Sequence, residues 1–175
     1  MATYVITVIG DDRVGLVQSL ADAVAAAGGN WERSELAELV GKFAGLVVVT
    51  VPDERSEDLA AGLRALDGML EVHLHEAGTP AQPAADTITV TLDLVGNDRP
   101  GIVHEITSAV QARGLSIDRF ESEVTDAPMG AGTLFSCRAV LRGDETAFPL
   151  VRADLERLAT ELMVDLTLAA GDDAA

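Results

Sequence analysis

Gly10-Asp11-Asp12-Arg13-Val14-Gly15-Leu16-Val17 recurs 86 residues later (96 − 10) as Gly96-Asn97-Asp98-Arg99-Pro100-Gly101-Ile102-Val103. The same offset carries Leu20 onto Ile106, Val24 onto Val110, Gly28 onto Gly114 and Arg33 onto Arg119. Matches sustained at one offset mark an internal duplication. Upstream of the first copy, Tyr4, Ile6 and Val8 alternate with Thr7; upstream of the second, Val90, Leu92 and Leu94 alternate with Thr91 and Asp93. That two-residue period is a strand with one buried face. Downstream, Leu16, Val17, Leu20 and Val24, and their counterparts Ile102, Val103, Ile106 and Val110, follow helical spacing. Gly28 and Gly114 stand where a left-handed residue ends a helix. The repeated stretch is a strand-to-helix turn made twice.

Beyond each first helix come two strand-like runs, 30–40 with 43–51 and 116–125 with 131–141. Gly41 breaks the first pair, and Pro128 with Gly130 breaks the second, as hairpins require. A second helix is expected around Leu59, Leu63 and Leu66, and again around Leu155, Leu158 and Leu162. The closing strand sets Leu70, Val72 and Leu74 against Glu71, His73 and His75. Its counterpart sets Val164, Leu166 and Leu168 against Asp165 and Thr167. The order strand, helix, strand, strand, helix, strand, read twice, predicts an α+β chain of two ferredoxin-like βαββαβ units. Each has an antiparallel sheet with helices on one face, its first strand beside its third. The units are expected at 1–77 and 87–170, joined by a proline- and alanine-rich linker at 78–86 and followed by an acidic tail at 171–175.

Composition narrows the function classes. With 48% hydrophobic and 23% charged residues the chain is expected to fold as soluble globular units. Aromatics are only 3%, so aliphatic side chains must build the cores. A net charge of −17, from 29 acidic and 12 basic residues, opposes binding to phosphate backbones. Any control of transcription would run through another protein. No apolar run reaches the ~18 residues of a membrane span, and the N-terminus lacks a signal-peptide pattern, so a cytoplasmic protein is expected. Cys137 is the sole cysteine, set in an apolar run and expected to be buried. No P-loop or serine–histidine–aspartate pattern is evident, so neither an enzyme nor a cofactor is expected.

The second copy of the motif resembles the loop between the first strand and first helix of ACT domains: Gly96, then Asp98, then Pro100-Gly101 and two aliphatics. Duplicated on a βαββαβ pattern, it makes the whole chain similar to tandem ACT regulatory proteins, the glycine cleavage system transcriptional repressor family among them. That resemblance implies a small amino acid as ligand, glycine among the candidates, and action on a separate transcription activator protein. A regulatory subunit of an amino-acid metabolic enzyme and a ligand-free oligomerisation adaptor are the alternatives. It also implies a homo-oligomer, since ACT domains commonly pair side by side into a continuous sheet.

The loop makes chemical sense for such a ligand. A glycine at Gly15 or Gly101 clears space at the first helical turn, whose free N–H groups and positive dipole end suit a carboxylate. Asn97 offers both a donor and an acceptor, and Pro100 is tolerated where N–H groups lack partners. The candidate ligand-binding residues are therefore Asn97, Asp98, Pro100, Gly101 and Ile102 in one copy, and Asp11, Asp12, Gly15 and Leu16 in the other. Purely architectural roles compete: Asp12 and Asp98 suit helix N-caps, and the two glycines would allow tight helix–sheet packing. Asp11 and Val14 replace Asn97 and Pro100 in the first copy, so the second is expected to be the better site. His73 and His75, with Glu71 or Glu76 nearby, are weighed as metal ligands and expected to be surface residues instead. His104 and Trp31 are likewise read as a surface histidine and a cover for one end of the core.

Overall fold

The computed structural model describes residues 1–78, 87–127, 132–162 and 165–170, with side chains described as far as residue 158. The chain divides into two compact units, Met1–Ala81 and Gln82–Ala175. In the first, β1 (Ala2–Asp11), α1 (Leu16–Ala26), β2 (Asn30–Leu39), β3 (Lys42–Val51), α2 (Ser56–Arg64) and β4 (Glu71–Glu76) follow in order. The second repeats them as β5 (Thr87–Asn97), α3 (Ile102–Ala112), β6 (Ser116–Asp126), β7 (Thr133–Asp144), α4 (Phe148–Leu162) and β8 (Asp165–Ala170). The sheets run β2-β3-β1-β4 and β6-β7-β5-β8, with antiparallel neighbours throughout. Both units are ferredoxin-like βαββαβ folds, with first strand beside third as expected. The linker from Thr79 on, the break at Pro128 and Gly130, Val164 and the acidic tail lie outside the described residues, as do the side chains of Leu162, Leu166 and Leu168.

One face of each sheet carries the core. Ile6, Val8, Val47, Val49 and Val51 meet Leu16, Leu20 and Val24 of α1 and Leu59 and Leu63 of α2. Leu92, Leu94, Cys137, Ala139 and Leu141 meet Ile102, Ile106, Val110 and Leu155 in the second unit. Burying about a dozen aliphatic side chains in each unit, at about 1.5–3 kcal/mol apiece, supplies the main force that folds them. The buried helical stripe is narrower than the sequence suggests. Val17 and Val103 are 47% and 40% exposed, because one residue's turn of about 100° carries them off the line of Leu16-Leu20-Val24 and Ile102-Ile106-Val110. Trp31 packs half-buried against the first core, and Cys137 is buried in the second, both as expected.

Both first helices end in the same glycine motif. Gly28 N–H donates to the Ala25 carbonyl and Gly29 N–H to that of Val24; Gly114 and Leu115 repeat this on Gln111 and Val110. Gly28 and Gly114 hold φ of 67° and 69°, the left-handed conformation this closure needs. The β2–β3 hairpin closes on two left-handed residues, Val40 (φ 52°) and Gly41 (φ 75°). Val40 therefore belongs to the turn, not to the strand predicted as far as residue 40. A β-branched side chain is strained there, and the Gly41 N–H offsets part of that by donating to Glu38 Oε1 at 2.6 Å.

Candidate ligand site

Each strand-to-helix turn begins by fastening itself to the neighbouring hairpin. Asp12 N–H donates to the Gly41 carbonyl and Asp98 N–H to that of Thr133, both at 2.9 Å. Two open loop positions follow, and then a left-handed glycine, Gly15 at φ 95° or Gly101 at φ 91°, which is the residue that caps the helix. Neither helix has a side-chain cap. Asp12 and Asp98 are not N-caps, because α1 and α3 start four residues beyond them. The tight-packing role for the glycines fails too: a side-chain carbon on Gly15 or Gly101 would meet nothing within 4 Å. Their backbone conformation is what demands glycine. By contrast, a side chain on Gly10 would strike the Met69 carbonyl oxygen at 2.7 Å, so that glycine serves a close crossing of chains.

The result is a helix start open to a ligand. Gly15 and Gly101 accept from Ser19 and Glu105 N–H at 2.9 and 3.0 Å, while the N–H groups of Leu16, Val17 and Gln18 find no partner among the described residues. In α3 the Ile102 N–H turns back to the Arg99 carbonyl at 3.3 Å, and those of Val103 and His104 find no partner among the described residues. Unpaired N–H groups and the positive end of the dipole suit a carboxylate.

The side chains around these two starts differ. Asp11 pairs with the Lys42 ammonium across the β1–β3 ladder, which holds its carboxyl below the usual value. Asn97, in the same position, faces Leu134 across the ladder, and its exposed amide has no hydrogen bond among the described residues. Asp98 is exposed and likewise without a side-chain hydrogen bond there. Arg99 reaches forward to grip Glu105 with both guanidinium ends, one contact at 2.7 Å, keeping the Glu105 carboxyl below its usual range. The first copy has Ser19 in place of Glu105, so this clamp exists only in the second. Pro100 is exposed just before the cap glycine, outside the helix rather than in its first turn. Leu16 and Ile102 are core residues, 2% and 3% exposed, and can offer a ligand only their backbone.

Residues 2–76 match the family model of the ACT domain. The first unit is an ACT domain. The second repeats its element order, strand order and glycine-capped turn. No curated protein matches the chain in sequence. Among solved structures, an unknown protein from Galdieria sulphuraria is 27% identical with a TM-score of 0.89, over 98% of this chain and 99% of that one. A candidate glycine cleavage system transcriptional repressor is 17% identical with a TM-score of 0.66, over 97% and 98%. That second likeness is one of fold.

Residues outside the two strand-to-helix turns behave as surface or core. His73 and His75 lie on the open side of β4 with ring centroids 6.4 Å apart, and His73 Nε2 stands 3.6 Å from Glu71 Oε1. Among the described residues no group of three or more ligands could hold a metal. His104 is exposed in the first turn of α3. Burial, with Asp93 beside it, pushes the Cys137 thiol up to about 11, which keeps it protonated and unreactive. A groove of about 450 Å³ on the open face of the second sheet is lined by Asp93, Glu121, Glu123 and Arg138, but Arg138 Nε already donates to Asp93 at 2.6 Å. No helix among the described residues is long and apolar enough to cross a membrane. The Arg99–Glu105 clamp and the Asp11–Lys42 pair are what sequence reasoning missed. An arginine before a cap glycine and a glutamate four residues after it was the available signal for the first. The hairpin register supplies the second.

Proposed function

We propose that this chain is a non-enzymatic regulator that senses a small amino acid at the second unit's strand-to-helix turn. The observation that carries this reading is the open start of α3 at Gly101 beside the unengaged amide of Asn97. The ligand's carboxylate meets the free N–H groups of Val103 and His104. Asn97 and Asp98 supply acceptors for its ammonium group. In the first unit the Lys42 pair occupies the equivalent acid, so that unit serves chiefly as architecture. Glycine is a candidate ligand, on the fold shared with a candidate glycine cleavage repressor.

The output is proposed to pass, in the cytoplasm, to a transcription activator protein, with the chain acting as a homo-oligomer. The net charge of −17 supports contact with a protein rather than with DNA. Binding to the folded state raises the melting temperature. A thermal-shift panel of amino acids, glycine and serine included, should show a rise for at least one of them, and Asn97→Ala should abolish it. A flat panel at millimolar ligand would overturn the sensing role. Co-purification with a metabolic enzyme instead of an activator would redirect the output.

A further inference from the structure

Asp67-Gly68 is the only Asp-Gly or Asn-Gly step in the sequence. It forms the exposed bend between α2 and β4. The amides around it are committed to the backbone: Asp67 N–H donates to the Arg64 carbonyl at 3.1 Å, and Met69 and Leu70 N–H both donate to that of Leu66 at 2.9 Å. The Gly68 N–H takes no backbone acceptor among the described residues. It donates instead to the carboxyl of its own neighbour, Asp67 Oδ1, at 3.0 Å. The nitrogen therefore lies beside the Asp67 Cγ, one bond from the oxygen it touches. Gly68 is left-handed (φ 80°), and a side-chain carbon built on it would meet nothing within 4 Å, so the bend is open to water.

We propose that Asp67-Gly68 is a site of spontaneous isoaspartate formation in the folded chain. The Gly68 nitrogen loses its proton and bonds to Cγ; the C–OH bond of the protonated carboxyl breaks, and the hydroxyl leaves with a proton as water. Water then adds back to the cyclic imide. Opening at Cγ restores aspartate. Opening at the main-chain carbonyl sends the backbone through Cβ and Cγ, which lengthens it by one bond of about 1.5 Å. Glycine hinders the ring closure least, having no side chain beside its nitrogen. The bend has little slack for the extra bond. Leu66 and Leu70 on either side are core residues, 8% and 2% exposed, and the Met69 carbonyl oxygen lies where any side chain on Gly10 would stand. A close-packed interior feels a change of one methylene, so isomerisation disturbs the first core and the end of β1. In the second unit Glu161-Leu162 precedes Val164 as Asp67-Gly68 precedes Leu70, with no Asp-Gly step, so this ageing is confined to the first.

The test is peptide mapping of the full-length chain held folded for weeks at neutral pH and physiological temperature. Asp-N protease cuts before aspartate but not before isoaspartate, so cleavage before Asp67 should be lost progressively while its other cuts persist. A protein isoaspartate methyltransferase with labelled S-adenosylmethionine should load methyl groups onto the peptide that carries residue 67. Asp67→Glu should abolish the methyl label there. Asp67→Asn should reach isoaspartate faster than the wild type, because a neutral amide is a better electrophile than a carboxylate. The aged fraction, separated by ion exchange, should melt about 5 °C below the fresh chain, the shift a modest loss of packing gives a unit of this size. Undiminished cleavage before Asp67, or an Asp67→Asn chain that forms no isoaspartate, overturns the proposal. So does isomerisation that occurs in urea but not in the folded chain. An aged fraction that melts with the fresh one overturns the coupling to the core.

Discussion

The two strand-to-helix turns share a backbone and differ in what their side chains are doing. Both are tied to the hairpin through Asp12 or Asp98, both pass through a left-handed glycine, and both leave α1 or α3 without a side-chain cap. In the first, the acid at the strand end is spent on Lys42. In the second, that position is an asparagine with no side-chain hydrogen bond among the described residues, and the clamp is moved forward to Arg99 and Glu105. A duplicated motif can therefore keep its architecture in both copies while the side chain at the strand end is engaged in one and not in the other. Motif matching alone does not see this, because the partners Lys42 and Glu105 lie outside the matched stretch.

The largest effect should come from Gly10→Ala, because the added carbon would meet the Met69 backbone carbonyl oxygen at 2.7 Å. A loss of about 2–3 kcal/mol in urea unfolding is expected, as for overpacking against fixed backbone. Gly15→Ala and Gly101→Ala should each cost about 1–2 kcal/mol, the penalty of a left-handed alanine, with no steric addition. Equal costs would confirm a shared architecture; a much larger one at either glycine would mean a packed environment there and would break the comparison. Val40→Asn should raise stability by about 1 kcal/mol by relieving a β-branched residue in the left-handed region. A neutral or destabilising result would show that the hairpin tip is held by something other than its turn.

The smallest effect concerns the two differing acids. Asp11 and Glu105 titrate below their ordinary values of 3.8 and 4.5 because Lys42 and Arg99 donate to them. A depressed folded value adds stability above the unfolded value, and that contribution is lost as pH falls through the folded one. Asp11→Asn and Glu105→Gln should therefore melt slightly below the wild type at neutral pH, with the gap closing as pH drops beneath those values. Both pairs are exposed, so added salt should shrink the gap as well. A gap that persists in acid would assign the loss to packing.

Element order, strand pairing and most of the core were legible because strand and helix periods are local signals. The ends of α1 and α3 were legible through Gly28 and Gly114 for the same reason. Their starts were not. An aspartate three residues before a glycine looks like an N-cap, but the left-handed glycine takes that place and moves the helix onward. Val17 and Val103 fit helical spacing as well as their buried neighbours do, and only the packing direction excludes them. The engagement of Asp11 depends on hairpin register, a long-range fact.

Backbone amide shifts followed by nuclear magnetic resonance during titration with the amino acid that gives the largest thermal shift test the central claim most directly. Shifts confined to the stretch from Asn97 to His104, with Asp11 to Gln18 unmoved, are the predicted result. Shifts centred on Asp11 to Gln18, or at neither turn, would contradict it.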